Sequence, residues 1–544
     1  MNRLTVRRRF GAAAVFAAAL AIRAPLVLPS LPYLGYVDEG HVLHPVLTLL
    51  RTGGWDPQWY LHPSLTIYLI TLLVQGIRPV YFLVNGHSLL QDLPIGAEFY
   101  DLISPPEVIL AGRCIVLAAS LGIVALGMVL ARRIAGQRAA LGAGILLALC
   151  PALVQRGAIV IVDTVATFCV LATLLSADRL RCVIADVGAS AATARCEAFV
   201  AGLLAGASAA AKYPSVLVFL VVFFALLGPK HEWRPRGRLL LFATAGLFVG
   251  AFIGTPAFVL RPRAVIRALL EQSRLYATPT LFSAGGGGAG FFSQALSSEE
   301  LGVALCALGA AGYFALLRGR RTRPVALAWL AFGIALVLPL VVHSYQPFRY
   351  ALPLVPPLLI AAAAFLFPEP TSSSAARAAI GGLGLLIVLA SFVPGWKWTY
   401  RERGVRDSRT VFIDWLVTKV RPNQRVLFVR ELAFLPKELA RLPATVVVAP
   451  SVKTRALTEA GSFDALVYGN FDLAGAVTPR DDRMTELARF QSWLETLRIE
   501  ARFGSSPTPI YPNFWRSNEE LILVAIRSNS GEPLRRALPA SATQ

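Results

Sequence analysis

Charge is scarce in this chain, and acid is scarcer than base: 15% of its 544 residues are Asp, Glu, Lys or Arg, with 32 acids against 52 bases. With 56% hydrophobic residues and a mean hydropathy of +0.60, a soluble enzyme is excluded. The six cysteines lie in or beside apolar runs, none forms a C-x-x-C pair and none follows Cys306, which excludes a disulfide framework and a thiolate zinc site. No internal repeat is visible. The glycine run Gly285 to Gly288 lacks both a preceding strand and a following Lys-Ser/Thr, so it reads as a flexible loop and not as a phosphate loop. The net charge of +20 does not point to nucleic acid either, because the arginines sit in short clusters between apolar runs.

What is present is a series of apolar runs of roughly 20 residues, the length of a membrane span, recurring to about residue 394. Arg7-Arg8-Arg9 followed by Phe10 to Leu28 has the basic start and alanine-rich core of a signal peptide. Arg23 and Pro25 interrupt the region where cleavage would fall, so an uncleaved span is expected. Basic clusters at Arg3/Arg7/Arg8/Arg9, Arg132/Arg133/Arg138, Arg179/Arg181/Arg195, Lys230/Arg234/Arg236/Arg238, Arg318/Arg320/Arg321/Arg323 and the lone Arg377 mark the cytoplasmic side. Three apolar runs (10–29, 64–84 and 108–131) lie between the first two clusters, and only two of them can cross. The middle one, interrupted by Gln75, Gly76, Arg78 and Pro79, is expected in the interface plane. The first external loop is then residues 30–107, containing Asp38, Glu39, His62 and the stretch Glu98-Phe99-Tyr100-Asp101.

Parity places Asp163 on the same outer border, at the start of the run 164–177. Lys212-Tyr213-Pro214 falls at the tip of a tight hairpin, with Pro214 starting a helix and Gly202 and Gly206 suited to close helix packing. A second external loop covers 261–299, and Arg349 and Tyr350 return to the outer side. The result is a mainly α, polytopic membrane protein of about eleven transmembrane helices, N-terminus inside. Residues 1–394 form the membrane domain. From 395 to 544 the pattern becomes that of an extracytoplasmic α/β domain, with strands at 425–429, 445–449, 464–468 and 520–526 and helices at 410–420 and 484–499.

The stretch Tyr36-Val37-Asp38-Glu39-Gly40-His41 sets two adjacent carboxylates at a membrane border, a costly place for them. Asp38, Glu39, Asp163, Lys212 and Arg349 come from distant parts of the sequence to one border. Transfer from a phosphate-linked donor needs such a set: a carboxylate to take the proton of the attacking group and cations to stabilise the departing phosphate. Singly, each residue has a plainer reading. Asp163 suits a helix cap, Lys212 a snorkelling side chain, Arg349 an external anchor and His62-Pro63 a helix start.

Arg23, Asp38-Glu39, His62-Pro63-Ser64-Leu65, the run from Arg132 to Ala152, Asp163, Gly202 to Gly206 leading to Lys212-Tyr213, and Arg349-Tyr350 leading to Pro353 together resemble the GT-C superfamily. These are glycosyltransferases that use polyprenyl-phosphate sugars, here in the branch of the protein O-mannosyltransferases and the aminoarabinose transferase of lipid A. Asp407-Ser408-Arg409 followed by Phe412 to Trp415 resembles the outer domain of bacterial members. His62-Pro63-Ser64 departs from the family's usual His-Pro-Pro. The resemblance implies inverting transfer of a sugar from a polyprenyl-phosphate donor to an envelope glycolipid, polysaccharide or protein, on the outer face of the plasma membrane. Asp38 is then the expected base with Glu39 and Asp163 as companion carboxylates, and His62, Lys212, Arg349 and Tyr350 are expected to bind substrate. Some members use a divalent metal, for which the three carboxylates offer oxygens, but no cofactor is assigned. A transporter or flippase of lipid-linked precursors is the competing expectation, disfavoured by charges that sit at span ends on one face. A non-catalytic assembly protein leaves the acidic pair unexplained.

Overall fold

The computed structural model describes residues 3–89, 104–186, 188–227, 233–277, 287–297, 300–342, 348–368, 375–404, 407–429, 434, 436–449, 463–469, 498–503 and 521–525. The first apolar run forms α1 (Arg3–Arg23), and the chain then turns back into α2 (Val37–Thr52), opened by the acidic pair where the helix dipole favours carboxylates. Gly53 ends α2 in the left-handed region (φ 66°), its N–H donating to Leu49 O at 3.0 Å. In α3 (Leu65–Asn85), Gln75, Gly76, Arg78 and Pro79 interrupt the apolar pattern without breaking the helix. This helix is long and apolar enough to cross a membrane. Its buried Ile67, Ile70 and Val74 nevertheless cluster with α2 and with Val108, Ile109 and Ala111, in the first turns of α4 (Pro106–Leu149).

The 44 residues of α4 are two helices joined at Gly136, whose φ of 86° costs a glycine nothing and any other residue a steric clash. There follow α5 (Pro151–Arg156), α6 (Val162–Ala185) and α7 (Ala191–Ala211). Lys212 ends α7, and Pro214 begins a 3₁₀ turn, Tyr213–Val218, that leads into α8 (Phe219–Leu226), as the hairpin reading expected. Gly202 and Gly206 do allow close packing. A methyl group at either would overlap the backbone of α9 (Trp233–Gly254) at Ala243 and Leu247, while Gly246 and Gly250 of α9 meet the α7 backbone at Phe199 and Leu203 in the same way.

After the short helix α10 (Ala257–Leu260), the stretch expected as the second external loop contains helices α11 (Pro262–Ala277) and α12 (Gly287–Leu296). The flexible loop expected at Gly285 to Gly288 is therefore corrected in part: Gly287 and Gly288 begin α12, and the preceding two glycines lie outside the described residues. The stretch Glu98 to Asp101 also lies outside them. The remaining apolar runs form α13 (Val303–Arg318), α14 (Arg323–Val342), α15 (Val355–Leu366), reached through a 3₁₀ turn at Phe348–Leu354, and α16 (Ala375–Gly404). Among the described residues, eight helices are long and apolar enough to cross a membrane. The shorter α8 and α13, together with α6, supply further apolar helices. The chain is a polytopic, mainly α membrane protein.

The last of these helices continues through the composition change at 395 to Gly404. Beyond it come α17 (Ser408–Val417), β1 (Arg425–Val429), α18 (Pro436–Leu439), β2 (Thr445–Ala449), β3 (Ala465–Gly469), β4 (Arg498–Phe503) and β5 (Leu521–Ala525). The sheet order is β2-β1-β3-β5-β4, with β1 parallel to β2 and β3, and β5 antiparallel to β3 and β4. All four expected strands are present. The helix expected over 484–499 is corrected at its end: Arg498 and Ile499 belong to β4, where polar and apolar residues alternate, and 484–497 lie outside the described residues.

The segment that carries the sheet is tied to the start of the chain by Arg409, which is fully buried. Its guanidinium makes two bonds to the Asp407 carboxylate, at 2.9 and 2.8 Å, and donates to Leu34 O at 2.9 Å. It also lies over the Tyr33 ring at 4.3 Å, against which Phe434 packs edge-on.

The α7–α9 interlock predicts that Gly206→Leu lowers the thermal unfolding temperature of the detergent-solubilised protein, by the equivalent of about 1–3 kcal/mol for overpacking. Gly237→Leu, at a position with open space around it, is expected to leave it unchanged. Equal unfolding temperatures for the two variants would contradict the interlock.

Candidate active site

Glu39 anchors the region around Asp38. It is the third residue of α2, and its carboxylate accepts from the backbone N–H of Gly35 (2.9 Å) and Tyr36 (3.3 Å), a capping box at the helix start. The same carboxylate takes a two-pronged ion pair from Arg113 of α4 (Nε–Oε1 and Nη2–Oε2, both 2.8 Å) and a bond from Val160 N at 3.1 Å. Arg113 spends its other donors on Val27 O, Pro29 O and Ser30 Oγ, at 2.7–3.0 Å, so all five of its N–H groups are used. Gly35 is required here, because a β-carbon would strike Ser30 Oγ. Burial alone would raise the Glu39 pKa; the Arg113 guanidinium and the backbone donors reverse that and hold it below the usual carboxylate value.

With Glu39 fixed, Asp38 faces a cavity of about 240 Å³, lined from the start of α6 and the end of α7. Asp163, in the first turn of α6, and Lys212, at the end of α7, form an ion pair at its wall. Arg349, from the turn before α15, pairs with Asp38 and donates to the Tyr36 hydroxyl at 2.8 Å. Tyr350 lies beside both cations, its ring centroid 3.8 Å from Lys212 Nζ and 5.4 Å from the Arg349 guanidinium carbon. His62 also lines the cavity, on a loop held by Ser64 N donating to Thr255 Oγ1 (2.8 Å) and by Tyr213 OH donating to Tyr60 O (2.7 Å). The remaining wall is mostly apolar, with Val42, Val162, Leu217, Leu336, Pro339 and Leu340, and also carries Gln272 and Tyr213.

Asp38, Asp163, Lys212, Arg349, Tyr350 and His62 therefore meet in one cavity, whereas Glu39 lies buried beside it, on Arg113. The sequence reading overlooked Arg113. Its signal was an ionisable residue inside the apolar run 108–131 that the basic clusters do not explain. Burial alone would raise the Asp38 pKa; Arg349, His41 and His62 outweigh it and hold the carboxyl below its usual range. Loss of solvent pushes the His62 imidazole down from 6.5 to about 4, against the pull of Asp38, so it is neutral at physiological pH. A divalent metal does not fit this set. Each of the three carboxylates is held by its own cation, and among the described residues no three His, Cys, Asp or Glu side chains are placed to hold one ion.

Glu39→Gln is expected to cost about 3–5 kcal/mol, because it leaves Arg113 charged and buried without its counter-ion; thermal unfolding in detergent measures this. The pH dependence follows from the depressed values. The folded state resists protonating His62 between about 6.5 and about 4, and its carboxylates below their usual range, so stability falls as pH drops through these windows. His62→Gln is expected to flatten the loss between pH 6.5 and pH 5, and an unchanged slope would contradict the assignment.

No family model matches the chain, and the comparison with curated proteins finds no match either. Solved structures do match. The aminoarabinose transferase ArnT from Cupriavidus metallidurans bound to undecaprenyl phosphate superposes with a TM-score of 0.55 at 15% identity, over 96% of this chain and 99% of that one. The apo oligosaccharyltransferase of Archaeoglobus fulgidus gives 0.50 at 13% identity, over 93% and 74%. The oligosaccharyltransferase AglB from the same organism, in complex with an inhibitory peptide and a dolichol-phosphate, gives 0.52 at 12% identity, over 94% and 74%. At this identity the likeness is one of fold: the chain shares the polytopic helical architecture of these solved structures.

Proposed function

We propose that the protein is a membrane glycosyltransferase that moves a sugar from a polyprenyl-phosphate donor to an acceptor on the extracytoplasmic face of the plasma membrane, with inversion. The observation that carries this reading is the pairing of Asp38 with Arg349 and of Asp163 with Lys212 at the wall of one cavity whose other side is mostly apolar. A polyprenyl phosphate is an anionic head on an apolar tail, and the cavity has both kinds of surface. The architecture shared with ArnT and AglB, whose structures hold undecaprenyl phosphate and dolichol-phosphate, supports the same donor class.

In the structure each cation is neutralised by a carboxylate. A donor phosphate competes for Arg349 and Lys212 and loosens both pairs, and Asp38 gains basicity as its counter-ion turns to the phosphate. The acceptor O–H or N–H then gives its proton to Asp38 while the acceptor atom attacks the anomeric carbon from the face opposite the phosphate. The carbon–oxygen bond to phosphate breaks, its electron pair leaves with polyprenyl phosphate, and the cations stabilise the negative charge that develops. Tyr350 aligns the two cations, neutral His62 offers a hydrogen bond without adding charge, and Glu39 positions Asp38 through Arg113. With the basic clusters inside, the N-terminus is cytoplasmic and the outer domain extracytoplasmic. A flippase leaves this one-ended set of acid and base without a task.

Asp38→Asn keeps the side chain's shape but removes the base, so turnover is expected to fall by about 10²–10⁴ with donor binding retained. Arg349→Ala and Lys212→Ala are each expected to weaken binding of undecaprenyl phosphate, followed by native mass spectrometry, by about 1–3 kcal/mol. The reaction itself is tested by mass spectrometry of envelope glycans, glycolipids and proteins from cells with and without the gene. Unchanged composition, or sugar transfer by Asp38→Asn at the wild-type rate, would refute the proposal.

A further inference from the structure

Helix α11 reaches the cavity with one face and leaves two others uncovered. Its packed face carries Val265 and Ala268, only 3% and 7% exposed, and Gln272, which lines the cavity. At about 100° per residue, Ile266, Leu269 and Leu270 fall together on a neighbouring face. The first and last of these are 56% and 57% exposed. Beyond Leu270 around the helix come Arg263, Arg267 and Arg274, spaced by four and seven residues and all exposed. Among the described helices of ten or more residues, none separates its apolar from its charged side chains as sharply. Arg261, just before the helix, pairs with Asp56 at 3.5 Å and does not belong to this row.

The helix cannot bury its apolar row by crossing the membrane, because 16 residues that include three arginines and Glu271 are too short and too charged for a span. The row is instead continuous with a surface that faces lipid. Helix α9 is long and apolar enough to cross, and its exposed Phe248, Phe252 and Ile253 lead on to the exposed Val259 and Leu260 of α10, which packs against both α9 and α11. Where this apolar strip ends, the arginines begin. A surface that turns from apolar to cationic across the width of one helix matches a bilayer at the depth where acyl chains give way to phosphates.

We infer that α11 lies in the membrane surface on the cavity's side, with Ile266, Leu269 and Leu270 among the acyl chains and Arg263, Arg267 and Arg274 on the phosphates of anionic lipids. A guanidinium binds a phosphate through two N–H groups at once, and a layer of anionic head groups offers a phosphate to every arginine of the row. Gln272 stands about 160° around the helix from the middle of that row. The element that rests on the head groups is therefore also part of the cavity wall.

The test uses the full chain in two settings. In cell membranes, a photoreactive benzoylphenylalanine is placed at position 266 or, separately, at position 271, and its adducts are identified by mass spectrometry. In nanodiscs of phosphatidylcholine with or without phosphatidylglycerol, hydrogen exchange of α11 is followed for wild type and for the double variant Arg263→Gln/Arg267→Gln, whose folding is checked by thermal unfolding. Position 266 is expected to give acyl-chain adducts and position 271 about tenfold fewer. Phosphatidylglycerol is expected to slow exchange of α11 at least about fivefold, the contribution of one arginine at an anionic surface, and the double variant to lose most of that effect. Adducts from position 266 to a second copy or to another protein would make this face a protein interface and overturn the proposal. Equal lipid labelling at the two positions would overturn the placement of the apolar row. Exchange that ignores phosphatidylglycerol, or responds to it equally in the double variant, would overturn the role of the arginines. If the double variant does not fold, wild type at raised salt decides: screening is expected to restore fast exchange in the anionic nanodiscs, and no change would sink the head-group contact.

Discussion

The ion pair between Glu39 and Arg113 is the constraint on which the site depends. A bare carboxylate or guanidinium in so dry a place is prohibitively costly, and a buried pair repays its desolvation only when every remaining donor and acceptor is satisfied. Here they are. The guanidinium binds the Glu39 carboxylate, three oxygens of the segment Val27–Ser30 and nothing else, while Glu39 also collects backbone donors from Gly35, Tyr36 and Val160. One charge pair thereby fixes the start of α2, the turn before it and the approach to α6, the two places from which Asp38 and Asp163 project. A second buried pair, Arg156 with Glu300 (2.5 and 2.7 Å), supports α6 from behind, since the carbonyl of Arg156 accepts from Thr164. The elements that carry Asp38 and Asp163 are thus each steadied by an ion pair that does not line the cavity.

Much of this was legible before any coordinates. Span parity alone places Asp38, Asp163, Lys212 and Arg349 on one border, since each lies at the end of an apolar run, and the four do line one cavity. The glycines of α7 announced a close helix contact by their spacing, and Pro214 announced the hairpin. The strands of the outer domain were visible as short apolar stretches between polar ones.

The unread parts have physical causes. The two members of the acidic pair look equivalent in one dimension, but adjacent residues of a helix point about 100° apart, and only the partners tell which one faces the cavity. Arg113 was hidden because a single charge in a span carries no periodicity. The strand β4 was taken for the end of a helix because Arg498 and Ile499 fit either period until the residues after them are included. Trp59 stacks on His41 only because its loop folds back onto α2, a return that neither segment's pattern encodes.

The Arg409 tie has a consequence for how the protein is made. The carbonyl it holds, that of Leu34, is synthesised 375 residues before it. At about 5–20 residues per second, the ribosome needs roughly 20–75 s to supply the missing guanidinium. During that interval Asp38 and its supporting segment exist without this clamp. The tie closes only after α16 has left the ribosome, so insertion of the preceding helices and closure of the Arg409 contact are set in order by chain connectivity alone.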